Sequence, residues 1–440
     1  MSELTRSSRS TLRDRFEDAR RGPVLRNAVS LFGSTAVTSG LGFAFWALAA
    51  RAYPLEAVGI ASAAISAMQL IATVGILGLG TLIIGEVAAS RSASALISTA
   101  SLVATACSVV LAAGYVLTAP LLSEHLGALG AGVVGPATFV AGVALTAFTL
   151  VLDQACIGLH RGGLQFWRNT VFSAVKLALL PLGLLLDPGL GALAVYGVWL
   201  LGNVVSLVTF LGHARRGGLR PRLRPEWTLL RALRGTALTH HWLNLASQAP
   251  RLALPVMVAG VLSPELNAAF YAALLIVGFA TIVPAHFATA LFALSKGDDE
   301  VLAVEAHQTL RLSAAVSGAS AAFFALTAGP ILSLLGDGYG VATASMVILG
   351  LTTMPFAIKV HYAAVCRVQG KLVRCAWVMT AGGIVEITFS YVGARLGGLA
   401  GVGTGWLLAL VLESLVLWPA VARAARMSLL PWTPVPRGKA

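Results

Sequence analysis

Charge is scarce in this chain: 11% of its 440 residues are Asp, Glu, Lys or Arg, less than half of the roughly 25% typical of soluble domains. Water is therefore excluded as its main solvent. Cysteine is also rare. Cys107, Cys156, Cys366 and Cys375 lie inside predicted helices or at their cytoplasmic ends, without C-x-x-C spacing. That excludes a disulfide scaffold or a zinc site and leaves four unpaired packing residues. No G-x-G-x-x-G follows a strand, and there is no G-K-S/T loop or H-E-x-x-H helix. Soluble nucleotide or metal chemistry has no foothold, and no metal or cofactor is expected. A cleavable secretory signal is not expected either, because the first apolar run follows a basic segment of about 26 residues and exceeds signal-peptide length.

What the chain has in abundance is apolar sequence, 57% of its residues. Long hydrophobic runs recur about every 30 residues, each near the roughly 20 residues that cross a bilayer core. The expected spans are 27–50, 58–84, 95–119, 133–157, 170–187, 190–212, 236–262, 267–294, 309–334, 341–366, 375–393 and 398–421. With both termini placed in the cytoplasm, 26 of the 31 Lys and Arg fall on the cytoplasmic side and only Arg51 and Arg395 outside. Such asymmetry is what the positive-inside rule requires, and adding or losing one helix would scramble it. The formal charge of +13 therefore reports topology and contact with anionic membrane lipids; nucleic acid is not expected as a partner. The connections at 51–57, 263–266 and 394–397 are too short to hold an external catalytic domain, so an enzyme is not expected.

The fold class that follows is all-α, a polytopic membrane protein of twelve transmembrane helices. A basic tail, 1–26, precedes a six-helix lobe, 27–212. An arginine-rich cytoplasmic linker, 213–235, leads to a second six-helix lobe, 236–421, and a cytoplasmic tail, 422–440. Landmarks repeat between the lobes. Tyr53-Pro54-Leu55-Glu56-Ala57 follows the first span and Ser263-Pro264-Glu265-Leu266-Asn267 the seventh. Gly158-Leu159-His160-Arg161-Gly162 follows the fourth span, and Cys366-Arg367-Val368-Gln369-Gly370 the tenth. The offsets, 209 from Glu56 to Glu265 and 206 from Arg161 to Arg367, agree. Six helices per repeat give both halves the same orientation, hence a parallel pseudo-two-fold along the membrane normal with a cavity between lobes.

With Ala49-Ala50-Arg51-Ala52-Tyr53-Pro54 leading into Val58-Gly59-Ile60-Ala61-Ser62, and Gly336-Asp337-Gly338-Tyr339 after the ninth span, the chain resembles the polysaccharide-precursor (O-antigen-like) flippases of the multidrug/oligosaccharidyl-lipid/polysaccharide exporter superfamily. The resemblance covers roughly 27–421. It implies a transporter in the bacterial plasma membrane that moves polyprenyl-pyrophosphate-linked sugar repeat units from the inner to the outer leaflet, by alternating access, for O-antigen or exopolysaccharide export. It also implies association with polysaccharide assembly proteins.

Polar residues inside the spans carry the chemistry. At 100° per residue, His241, Asn244, Gln248 and Arg251 of the seventh span share an arc of about 80°. Arg251 lies too deep to snorkel and must meet an anion, water or protein carbonyls; its guanidinium fork suits a pyrophosphate. Lys176 and Lys359 are expected either to line the entry of the same cavity or to snorkel to the interface. Arg51, at the outer end of the first span, completes the candidate substrate-binding set. Asp153 either pairs with Lys176 or exchanges the H+ or Na+ that drives transport. Glu386 and Glu413 are the other coupling carboxylates, or partners for Arg251 or Lys359. His286 and His361 read as hydrogen-bonded core residues. Two other functions stay open: a multidrug or toxin cation antiporter of the same superfamily, which would favour an acidic, aromatic cavity, and a membrane-embedded glycan polymerase or ligase, which would need a larger exterior loop or a clustered His/Asp constellation.

Overall fold

The computed structural model describes residues 23–88, 90, 92–124, 132–186, 188–216, 227, 236–295 and 299–427. The expected tails at 1–26 and 422–440 lie mainly outside the described residues, as does the 213–235 linker beyond residues 213–216 and 227.

Regular structure among the described residues is helical, in twelve spans. The first six are Pro23–Ala52, Leu55–Gly75 continued by Leu79–Glu86, Ala93–Leu122, Val134–Gly158, Gly162–Leu186 and Gly191–Arg216. The seventh to tenth are Thr236–Val261, Pro264–Leu294, Asp299–Ser333 and Thr343–Val368. The eleventh and twelfth form the continuous segment Leu372–Ala424, broken where Gly397 and Gly398 leave helical backbone angles. Gly398, at φ 56°, makes a turn that a Cβ would strain.

Eight of the described helices are long and apolar enough to cross a membrane by length and composition alone, the broken segment counting as one. The fifth and seventh spans carry Lys176 and Arg251, which line a cavity. The chain is a multi-pass membrane protein.

Helix starts follow local chemistry. Ser263 caps the eighth span by accepting the Leu266 amide at 3.2 Å, with Pro264 in the first turn and Glu265 complementing the helix dipole. Two spans begin well before their apolar windows, the fifth at Gly162 and the ninth at Asp299, because their first turns are amphipathic and hydropathy does not register them. The internal repeat is visible in hydrogen bonds: the Arg161 amide donates to the Cys156 carbonyl and the Lys371 amide to the Cys366 carbonyl, each at 2.8 Å. The residue before each, His160 or Gly370, has positive φ, so the same tight turn closes both hairpins. No disulfide joins the four cysteines.

The core is distributed unevenly along the membrane normal. At the end predicted to be exterior, a single apolar core joins the lobes, combining Ala49, Tyr53 and Ala57 with Leu332, Tyr339 and Leu399. At the opposite end each lobe has its own core, around Ile83, Leu96 and Ala155 in one and Leu243, Tyr362 and Val421 in the other. The lobes thus share one core at the exterior end and have separate cores toward the other, where the seventh span still packs against the second.

Candidate functional site

Between the lobes lies a cavity of about 570 Å³. The first six spans contribute Trp46, Lys176 and Trp199, and the last six Arg251, Lys359 and Glu386. Gln248 also lines it, one turn from Arg251. A smaller adjoining cavity of about 220 Å³ is bounded by Asn244 and Arg367, sharing Gln248 and Lys359 with the first.

Arg251 is exposed to this space. Among the described residues it makes no ion pair. Its guanidinium lies over Gly278, where any side chain would overlap it, so glycine there keeps the cation at the cavity surface. An arginine at this depth, ten residues or about 15 Å from the nearer helix end, is stable only with water or an anion as partner.

Lys176 is buried within the fifth span, with its ammonium turned onto aromatic rings of the first six spans, which overturns the snorkelling alternative. Its ammonium lies 3.6 Å from the ring centroid of Trp199, 4.5 Å from Phe172 and 4.9 Å from Phe45. Three aromatic faces stabilise the charge in place of a carboxylate. This cage was missed from sequence, although Phe172 and Lys176 sit four residues apart on one helix face, the spacing that brings side chains together.

Lys359 is buried and hydrogen-bonded to Glu386; it lies 2.9 Å from Glu413. The Trp406 indole N–H donates to the other oxygen of Glu386. Of the alternatives for these carboxylates, the geometry selects Lys359 as their shared partner, not Arg251, and it rules out snorkelling by Lys359. Gly382 leaves room for the Glu413 carboxylate, since a Cβ there would overlap it.

Three further expectations need correction. Asp153 does not pair with Lys176; Arg168 grips it with a two-pronged hydrogen bond, 2.9 and 2.6 Å, in a buried pair away from the cavity. Hydropathy had left Arg168 in the preceding loop, so its role was invisible. Arg51 is not in the cavity: its guanidinium donates to the Leu334 carbonyl at 2.9 and 2.7 Å, tying the first span to the end of the ninth. Only part of the polar face of the seventh span converges on the cavity. Asn244 accepts from Arg367 at 3.0 Å, and His241 turns toward the Val74 backbone. His361 is a satisfied core residue, bonded to the Ala357 carbonyl and Thr309.

Arg51 belongs to a latch across the closed end. The Asn267 amide donates to the Gly59 carbonyl at 2.8 Å and to Ser62 at 3.1 Å. A Cβ on Gly59 would overlap the Pro264 carbonyl, so the second and eighth spans touch backbone to backbone. The motif at 336–339 serves the same seam, Gly338 lying against Leu55 with Tyr339 buried behind it.

Residues 24–224 match the family described as polysaccharide biosynthesis protein. A comparison with curated proteins gives no match. The inward-facing conformation of a multidrug resistance MATE family transporter of the MOP superfamily superposes with a TM-score of 0.68 at 15% identity, covering 90% of this chain and 96% of that one. The outward-facing conformation of such a transporter superposes at 0.56, with 15% identity and 92% and 96% coverage. A MOP superfamily transporter from Pyrococcus furiosus, described as having a binding pocket of reversed polarity that suggests a different function, superposes at 0.59, with 15% identity and 91% and 95% coverage. The fold expected from the repeat and its motifs is borne out: across 90% of its length the chain shares the fold of a MOP superfamily transporter, and residues 24–224 match the polysaccharide biosynthesis protein family.

Proposed function

We propose that this transporter flips polyprenyl-pyrophosphate-linked oligosaccharide repeat units from the inner to the outer leaflet of a bacterial plasma membrane, both termini being cytoplasmic. One observation carries the reading: Arg251 faces an inter-lobe cavity and, among the described residues, has no carboxylate partner. Lys176, held by three aromatic rings, adds a second cation without an ion pair among the described residues. A pyrophosphate is the headgroup such a cavity accommodates, because guanidinium binds two of its oxygens at once while staying charged in a partly dry space. The match of the N-terminal half to polysaccharide biosynthesis proteins supports the sugar-linked cargo. Rocking of the lobes would open the latched end as the other closes, the lipid tail remaining in bilayer. Glu386 and Glu413, facing Lys359, are the groups proposed to exchange H+ or, less suitably beside an ammonium, Na+; association with polysaccharide assembly proteins is part of the same proposal.

The cation-antiporter reading draws on the aromatic wall and on the MATE fold. Two unpaired cations repel a cationic drug, which argues against it. A competition experiment separates the two: a polyprenyl pyrophosphate should displace a fluorescent anionic ligand from purified protein while ethidium does not. The opposite order of displacement would transfer the assignment to drug efflux.

A further inference from the structure

A second pocket, about 370 Å³, lies at the predicted cytoplasmic ends of the ninth to twelfth spans, apart from the central cavity. Lys371, Arg374, Arg423 and Arg426 converge on it above a floor that includes Tyr362. All four cations are exposed. Little compensates them. Arg374 makes no ion pair among the described residues, and Arg426 approaches Glu300 only at 4.0 Å, with both side chains mostly in solvent. Lys371 donates to Gln369 at 2.9 Å and the Arg423 Nε to the Pro419 carbonyl at 2.9 Å, which positions both groups without neutralising them. Asp299 is the acidic residue of the lining.

The backbone adds to this field. Lys371 is the N-cap of the helix that begins at Leu372, and no side chain caps it. The first-turn amides and the positive end of the helix dipole therefore point into the same region. A loop that served only to orient the chain would need cations on the cytoplasmic side but not their convergence on one concavity. In the first half, Arg161 matches Lys371 through the shared turn, while Leu164 stands where Arg374 does. The concentration of charge is thus not imposed by the repeat.

We propose that this pocket binds a phosphate group, that of an anionic phospholipid or free phosphate, at the membrane surface. Guanidinium groups and helix-terminal amides recognise phosphate oxygens directionally. The site is independent of the cargo cavity and of its assigned function.

The test uses full-length protein in phosphatidylcholine nanodiscs containing phosphatidylglycerol, with retained lipid counted by native mass spectrometry; inorganic phosphate is titrated calorimetrically in a separate arm without anionic lipid. The double variant Arg374→Gln/Arg423→Gln should weaken binding by at least about tenfold, while Arg395→Gln, on the opposite face, leaves it intact. Lost phosphatidylglycerol retention identifies the lipid headgroup, and lost inorganic phosphate binding with unchanged lipid retention identifies free phosphate. If wild type binds neither, or the double variant binds both as well as wild type, the proposal is overturned. Thermal unfolding of each variant, expected to match wild type because these side chains are exposed, separates lost binding from lost fold.

Discussion

Arg251→Ala and Arg251→Lys together separate a cargo-binding cation from a structural one. Because Arg251 makes no ion pair among the described residues and faces open space, its removal should leave the unfolding free energy within about 0.5 kcal/mol of wild type. Membrane insertion should if anything improve, since a mid-span arginine costs roughly 2.5–3.5 kcal/mol on insertion scales. Binding is another matter. Hydrogen bonds to charged groups contribute roughly 1.5–3 kcal/mol each, and a pyrophosphate takes two from one guanidinium. Arg251→Lys keeps the charge and loses one of the two, which amounts to at least about tenfold in affinity at 1.4 kcal/mol per decade. Arg251→Ala loses both, at least about a hundredfold. The assay is equilibrium binding of a fluorescent polyprenyl-pyrophosphate sugar to purified protein in nanodiscs, alongside thermal unfolding. Wild-type affinity in Arg251→Ala would refute the reasoning, and so would equal losses in Arg251→Lys and Arg251→Ala, because the fork would then have no part.

The remaining predictions test the supporting pairs and the latch. Lys359→Met should destabilise the protein by about 3–5 kcal/mol, because buried Glu386 and half-buried Glu413 lose their shared partner; adding Glu386→Gln and Glu413→Gln should recover most of that in thermal unfolding. Asp153→Asn should also lower the unfolding temperature by orphaning Arg168, whereas Asp153→Leu/Arg168→Met should regain stability and keep wild-type dependence on the ion gradient; a lost ion dependence would restore Asp153 as a coupling group. Gly59→Leu should insert normally yet fail to transport, with Ala268→Cys, buried at the seam, becoming accessible to an impermeant thiol reagent, since the leucine side chain would overlap Pro264 across the closed end.

Much of this was legible in the sequence because bilayer thickness, helix rise and loop charge are strong constraints. Twelve spans, two matched halves and a mid-membrane arginine all follow from periodicity and helix length, whereas the choice between open space and Glu386 or Glu413 for Arg251 did not. Partner choice was less legible. Lys359 could be assigned carboxylates by elimination of alternatives only once the tenth, eleventh and twelfth spans were packed together, because the pairing depends on their relative rotation. Arg168 was lost because a hydropathy window ends where polar residues begin, although the helix continues through them. The same error shortened the fifth span, and Lys176 looked able to snorkel because the rings that hold it come from three different helices. Arg51 misled for another reason: an arginine at a helix end fits a substrate site and a carbonyl latch equally well, and only the arrival of Leu334 from the other lobe decides between them.

The most direct test reconstitutes the purified chain in liposomes carrying a labelled lipid-linked oligosaccharide and follows how much label an impermeant lectin or enzyme can reach from one side. Protein-containing vesicles should expose label from the far leaflet with time, wild type faster than Arg251→Ala, with the sugar chain unchanged in length. Exposure no faster than in protein-free vesicles, or the appearance of new glycosidic bonds, would contradict a carrier built around an unpaired cation.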